Sequence, residues 1–168
     1  MKRLLIISLA VLLSSAGISQ DNDQVDDRWT LGFNLHKLGG FRWQSYVRHE
    51  NIRVGYFIHE YHQAGIEFGT LRPIGGSMIS PMVGPYYRFQ ALDGKFHPFF
   101  EGSAKILFTR TTALEKSRSA MFSGLVGLNI ELSDRFSVDA AVGRMHGGFG
   151  STFKDWDQYM GFSYRFGG

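Results

Sequence analysis

The sequence predicts an all-β fold: an eight-stranded antiparallel up-and-down barrel that crosses a membrane with its strands. Apolar residues recur with a period of two, and the spacing of an amphipathic helix is not sustained. Short and long connections alternate between the strands, as an antiparallel sheet with one elaborated end requires. Ionisable residues of the strands gather on the face opposite the apolar one, and their charges sum to zero.

The N-terminal segment is predicted to lie outside the barrel. Lys2 and Arg3 precede an apolar run at residues 4–13, and small residues follow at 14–20. This order is typical of a secretory signal peptide, so we expect cleavage near residues 19–21. The apolar run is shorter than the roughly 20 residues that a membrane anchor needs. We therefore predict a signal peptide at 1–20 and one transmembrane β-barrel domain at 21–168.

The composition excludes several classes of protein. The chain has 168 residues, which suits one domain, and it contains no Cys, which excludes a disulfide framework and a thiolate metal site. Two of its 18 basic residues belong to the signal peptide, and the rest exceed the 15 acidic residues by only one. The charge therefore gives no indication of nucleic-acid binding.

Alternation defines the strands in chain order. The apolar face of the first four strands consists of Trp29, Leu31, Phe33 and Leu35; Ile52, Val54, Tyr56 and Ile58; Ala64, Ile66 and Phe68; and Val83, Tyr87 and Phe89. The apolar face of the last four consists of Phe100, Ala104, Ile106 and Phe108; Phe122, Val126, Leu128, Ile130 and Leu132; Phe136, Val138, Ala140 and Val142; and Met160, Phe162, Tyr164 and Phe166. Each strand is expected to have about nine to twelve residues.

The connections are of two kinds. Turn-like segments are predicted at residues 60–63, 92–96 and 133–135, the second of which contains Asp-Gly. Longer connections are predicted at 37–51, 72–80, 109–119 and 144–155. An alternative for the first of these places a tight turn at 37–40 and extends the second strand through 41–47. The long connections all fall at the same end of the barrel.

The charged residues decide which face is inside. The face opposite the apolar one carries four cations and four carboxylates, namely Arg53, Glu67, Arg88, Glu101, Lys105, Glu131, Asp139 and Arg165. Charges in a narrow lumen must be paired, whereas a surface in water needs no such balance. We therefore predict a structural ion-pair network inside and apolar side chains facing lipid. A soluble lipocalin-like barrel is the alternative that the same alternation allows.

Aromatic residues group at two levels along the strands, as the girdles of a membrane barrel do. At the short-turn end these are Trp29, Phe100, Phe136, Tyr164 and Phe166. At the long-loop end they are Phe68, Phe108, Phe122 and Trp156. The two levels flank an aliphatic belt, which supports the membrane interpretation.

Three segments resemble the small outer-membrane β-barrel proteins of the OmpA and OmpX type. The hairpin of residues 55–69 is similar to that family's "GYF, turn, alternating strand" unit, and residues 95–102 are similar to its entry into strand five. The ending with Phe162, Tyr164 and Phe166 resembles the C-terminal signal that the barrel-assembly machinery recognises. Gly167 and Gly168 follow the last aromatic here, whereas family members usually end on it.

The resemblance implies a location in the outer membrane of a Gram-negative cell, with the short turns in the periplasm and the long loops outside. The long connections sum to a charge of +6. Such a face suits the phosphates of lipopolysaccharide, although a solvated surface without a ligand is equally compatible. The other expected partners are membrane lipid and the assembly machinery, with no nucleic acid and a monomeric state. The candidate lipopolysaccharide-facing cations are Arg42, Arg48, Arg110, Lys116 and Arg118.

The sequence supplies no catalytic set, no metal site and no cofactor motif. His59 and His62 do not form an HExxH pattern, and they fall on a predicted turn, where two His are not expected to share a face. The lipid A deacylase type of barrel has a Ser two residues after a His, and none of the six His fits this spacing. We expect a non-enzymatic structural or surface-interaction barrel. A narrow pore for small solutes and a lipid A-modifying enzyme are the alternatives.

Overall fold

The chain closes into a barrel of eight strands. A computed structural model describes residues 28–38, 47–73, 79–91, 94–110, 116–147 and 154–167, so the predicted signal peptide and Arg42 lie outside the described residues. No helix in those ranges is long and apolar enough to cross a membrane. The strands are β1 (Trp29–Leu38), β2 (Val47–His59), β3 (His62–Pro73), β4 (Ser80–Gln90), β5 (Phe96–Arg110), β6 (Lys116–Glu131), β7 (Phe136–Gly147) and β8 (Lys154–Phe166).

Each strand pairs antiparallel with the next, and the first closes on the last. The β1–β8 ladder runs from Trp29 opposite Phe166 to Leu38 opposite Asp157, so no open edge is left in this sheet. The predicted fold class is therefore confirmed. A positive-φ glycine, Gly94, lies in the turn between β4 and β5, where the sequence predicts an Asp-Gly turn.

Along every strand, inward and outward side chains alternate as the sequence predicts. On β6, Leu125 is 1% exposed and its neighbour Val126 is 54% exposed. Arg53, Glu67, Arg88, Glu101, Lys105 and Asp139 are all buried inside the barrel, whereas Phe100, Ile106 and Phe122 project outward. The barrel thus turns apolar side chains to its surroundings and polar ones to its centre.

Several strands are longer than predicted, because the polarity of the inward and outward faces is exchanged near the loop end. There the inward residues are apolar, and they form a cluster that we term the apolar layer: Val47, Leu71, Met82, Leu107, Met121 and Met145. The outward residues at this end are polar, as Arg48 and Arg118 are. Paired strands therefore continue past the lipid-facing belt, so that β5 has 15 residues and β6 has 16.

The predicted connections are wrong in extent for the same reason. Arg48 lies in β2, Arg110 in β5, and Lys116 and Arg118 in β6, all of which the sequence places in loops. At the other end, the turn predicted at residues 60–63 reduces to two residues, since β3 begins at His62. The alternative for residues 37–47 falls mainly on residues outside the described ranges.

Inward glycines make room for the large side chains of the lumen. A Cβ on Gly32 would lie 2.7 Å from Cγ of Arg53. A Cβ on Gly55 would overlap the hydroxyl group of Tyr86 and would also meet Gln63. The absence of a side chain at these two positions is therefore what lets Arg53 and Tyr86 cross the lumen.

Candidate functional site

Glu101 on β5 lies at the centre of the lumen and holds two arginines. Its carboxylate accepts two hydrogen bonds from Arg53, at 2.8 and 3.1 Å, and one at 2.9 Å from Nε of Arg88. Arg53 comes from β2 and Arg88 from β4, so one carboxylate ties three strands together. The paired geometry with Arg53 is the bidentate form that guanidinium and carboxylate favour.

The ion pairs extend from Glu101 in both directions. Arg88 also binds Asp139, at 3.2 Å, and Arg53 approaches Glu67 at 3.6 Å. Glu67 in turn contacts Nζ of Lys105 at 3.0 Å. The result is a chain of alternating charge across the lumen, which we term the charge chain: Lys105, Glu67, Arg53, Glu101, Arg88 and Asp139.

Neutral polar groups complete the hydrogen bonding of the charge chain. The Tyr159 hydroxyl accepts a hydrogen bond from Arg88 at 2.7 Å, and its ring lies 5.3 Å from the guanidinium carbon of Arg53. Asn129 donates to Asp139 at 2.7 Å, and Asn51 donates to Glu67 at 2.6 Å. Three cations balance three carboxylates, so the centre of the barrel is electrically neutral and filled by side chains.

The other two predicted lumen charges form a separate pair at the short-turn mouth. Arg165 donates to Glu131 at 3.0 Å, and their side chains are 30% and 25% exposed. His97 approaches the same carboxylate at 3.3 Å. This pair is in contact with water, unlike the charge chain.

Glu131→Gln should therefore have a small effect. We expect a loss of about 1 kcal/mol or less in the free energy of unfolding, because a partly exposed ion pair is screened by solvent. The measurement is urea unfolding of the barrel in lipid vesicles. A loss as large as that from a buried carboxylate would contradict the placement of Glu131 at the mouth.

A second polar group lies between the charge chain and the apolar layer. His36 contacts Asp157 through Nδ1 at 2.9 Å, and its Nε2 lies 3.1 Å from the amide of Asn51. The His49 ring stacks on His36 with ring centres 4.0 Å apart. All four side chains are buried. Sequence analysis missed this group, although the inward parity of His36 and His49 would have found both.

The cations of the outer wall follow the register of the strands. Lys37 on β1 lies opposite Arg48 on β2, which lies opposite Arg72 on β3. On β7 and β6, the guanidinium of Arg144 lies 4.2 Å from the ring centre of Trp156, and that of Arg118 lies 5.8 Å from the ring centre of Phe108. We term these five the outer cation rim: Lys37, Arg48, Arg72, Arg118 and Arg144.

The structure divides the predicted site residues by position. Six of the eight lumen charges meet in the charge chain, and the other two meet at the mouth. Arg48 and Arg118 are exposed on the outer wall, while Arg110 and Lys116 are opposite each other at the end of the β5–β6 ladder. The C-terminal aromatics lie on β8, where Phe162 contacts Phe33 with ring centres 5.7 Å apart and Tyr164 contacts Phe136 at 4.8 Å.

The lumen offers no evident centre for chemistry. Each carboxylate of the charge chain is engaged by a cation, and within the described ranges no group of three His or acidic residues is arranged to hold a metal ion. His59 and His62 are direct cross-strand partners, with ring centres 6.1 Å apart, so the expectation that they do not share a face is wrong. They lie together because the turn between them is only two residues long.

Comparison with solved structures identifies several barrels of the same architecture. Neisserial surface protein A matches with a TM-score of 0.61 and 11% identity, over 82% of this chain and 96% of that one. The N-terminal barrel domain of Pseudomonas aeruginosa OprF matches with a TM-score of 0.58 and 11% identity, over 82% and 97%. Yersinia pestis Ail in a phospholipid nanodisc matches with a TM-score of 0.53 and 12% identity, over 83% and 99%.

No protein-family model matches the sequence, and comparison with curated proteins gives no significant match. At these identities, the likeness to solved structures concerns the fold. The match covers most of this chain and nearly the whole of each neighbour, and it includes the closed order of eight strands. The chain therefore has the fold of the small outer-membrane β-barrels that its sequence resembles.

Proposed function

We propose that this protein is an integral barrel of a Gram-negative outer membrane with a structural or surface-interaction role, and that it is neither an enzyme nor a pore. The single observation that carries the proposal is the inversion of polarity between the two sides of the sheet. A soluble barrel buries its apolar side chains, but here a belt of exposed apolar residues surrounds a buried chain of charges. Only a lipid environment makes that arrangement favourable.

The filled lumen argues against the pore alternative. The charge chain crosses the centre, and the apolar layer lies above it toward the loop end. An ion would have to break buried ion pairs and also pass the apolar layer, whose own side chains offer no polar ligand. Eight-stranded barrels leave an interior just wide enough for their own side chains.

We therefore expect no sustained conductance. Purified protein inserted into a planar bilayer should give no open-channel steps at physiological salt. Leu107→Ala removes part of the apolar layer. It should still leave the bilayer non-conducting, because the charge chain blocks the lumen. Stable steps from the unmodified protein would support the pore alternative and contradict this role.

The outer cation rim supports contact with lipopolysaccharide. Its cations lie at the loop end of the wall, and two of them, Arg118 and Arg144, lie against aromatic rings of the kind that mark a membrane interface. Arginine is the residue that best matches phosphate geometry. In this proposal the barrel is monomeric, is assembled by the barrel-assembly machinery through its C-terminal strand, and meets phosphate groups of the surrounding leaflet.

Cell fractionation tests the proposal. The protein, expressed with its own leader in a Gram-negative host, should sediment with the outer membrane. The unboiled sample should migrate on a gel as a compact species, distinct from the boiled one. Recovery in the soluble periplasmic fraction, or identical mobility with and without boiling, would contradict the proposal.

A further inference from the structure

The lipid-facing wall carries an open groove across four neighbouring strands. It has a volume of about 880 Å³ and runs over β6, β7, β8 and β1. The register places Val126, Val142, Gln158 and Lys37 in one outward row, which rises toward the loop end from β6 to β1 because the strands are tilted. The outward row nearer the short turns consists of Leu128, Ala140, Met160 and Leu35.

The groove is shaped by side-chain size. Ala140 forms part of its floor, between Leu128 on one side and Met160 on the other. Adjacent strands are about 4.8 Å apart, so a groove over four strands is roughly 14 Å wide. Such a width exceeds one acyl chain and suits several chains lying side by side.

The polarity of the groove changes along its length. The row nearer the short turns is entirely apolar. The row nearer the loops ends in an amide, Gln158, and an ammonium group, Lys37. The next outward position on β7 toward the loops is Arg144, which is exposed and lies against Trp156. Two cations and an amide therefore lie at the loop end of an apolar surface.

We propose that this groove is a specific binding site for the lipid A part of lipopolysaccharide, with acyl chains over Ala140 and a sugar phosphate between Lys37 and Arg144. The inference rests on the proposed function, because it needs the loop end to face the outer leaflet. Arg144 and Lys37 are two strands and two residues apart, roughly 12 Å, a span that two long side chains can close on one headgroup. Charge complementarity and the several-chain width favour a multiply acylated, phosphorylated glycolipid over a two-chain phospholipid.

The test is titration of the folded protein in detergent with diphosphorylated lipid A, read by native mass spectrometry. Ala140→Phe fills the floor of the groove and should weaken binding roughly tenfold or more. Ala104→Phe adds the same volume on β5, outside the lining of the groove, where Ala104 faces outward beside Phe122, and should leave the affinity unchanged. Both substitutions place an apolar side chain toward lipid, and unboiled gel mobility verifies the folding of each variant.

The charged end is tested with two double variants of equal charge. Lys37→Gln with Arg144→Gln should weaken binding roughly tenfold or more, since both charge-assisted contacts to the phosphate are lost. Lys95→Gln with Arg135→Gln removes the same two kinds of charge at the short-turn end and should leave the affinity unchanged. Equal loss in the two double variants, equal binding by Ala140→Phe and Ala104→Phe, or equal affinity for phosphatidylglycerol would overturn the site. Fractionation reports the location independently, so the two proposals can fail separately.

Discussion

Glu101→Gln should destabilise the barrel by about 3–5 kcal/mol, the range for breaking a buried ion pair by removing one partner. Glu101 is 1% exposed and is bound by both Arg53 and Arg88. Losing its charge leaves two buried guanidinium groups to share Glu67 and Asp139. The lumen then carries a net positive charge on side chains that are buried from bulk solvent.

Urea unfolding in lipid vesicles measures this effect, with Glu131→Gln as the matched control. Both substitutions remove one carboxylate charge from an inward position, but only Glu131 reaches water. A second variant separates charge from packing: Glu101→Gln combined with Arg53→Met removes one cation as well and should recover part of the loss. Equal losses in Glu101→Gln and Glu131→Gln would contradict the charge chain as a stabilising unit.

Val126→Arg should cost about 2–4 kcal/mol or prevent assembly, because it places a charge on the lipid-facing side of β6 away from both ends. Val126 is 54% exposed, and the ladder places it opposite Phe100 and Val142, both outward-facing. An arginine at this depth cannot easily reach either headgroup region. In water the same exposed position would tolerate arginine with little effect.

Ala120→Arg is the control on the same face of the same strand. It lies nearer the loop end, two residues from Arg118, where the cost of a cation is expected to be about 0–1 kcal/mol. Reversible unfolding in vesicles ranks the two variants. If Val126→Arg were as stable as Ala120→Arg, the outward face of β6 would not be in contact with hydrocarbon.

The sequence predicts the barrel well where apolar and polar residues alternate along a whole strand. On β6, the run from Val126 to Leu132 alternates without interruption, so both the strand and its parity are predicted. Gly32 and Gly55 lie at inward positions of the same alternation on β1 and β2. Period-two alternation depends only on the pleat of a strand, which is a local property.

The ends of the strands are predicted less well, because the environment changes there. Toward the loop end, Met121 and Met145 point inward and Arg118 points outward. Apolar side chains therefore face the lumen there and polar ones face outward, the opposite of the arrangement in the lipid-facing belt. A prediction from the alternation of apolar residues alone therefore ends the strand too early. The result is that cations such as Arg48 are assigned to loops, although they lie on the outer wall of a continuing strand.

The partners inside the lumen depend on register, which the sequence does not reveal. Arg53 and Glu101 are 48 residues apart and come from strands that are not neighbours. Their contact depends on how far each strand is shifted against the next around the barrel. Balanced charge was enough to predict that these residues pair, but not that Glu101 holds two arginines or that Lys105 binds Glu67.

The most direct test of the account is labelling of the native protein by a phospholipid that carries a photoreactive diazirine in its acyl chain. After illumination of the barrel in vesicles, mass spectrometry locates the modified residues along β6. We expect insertion at Phe122, Val126, Leu128 and Ile130, and none at Met121, Leu125 or Asn129. Insertion at the second set, or no lipid adduct on the strand at all, would contradict the inversion of polarity on which the proposed function depends.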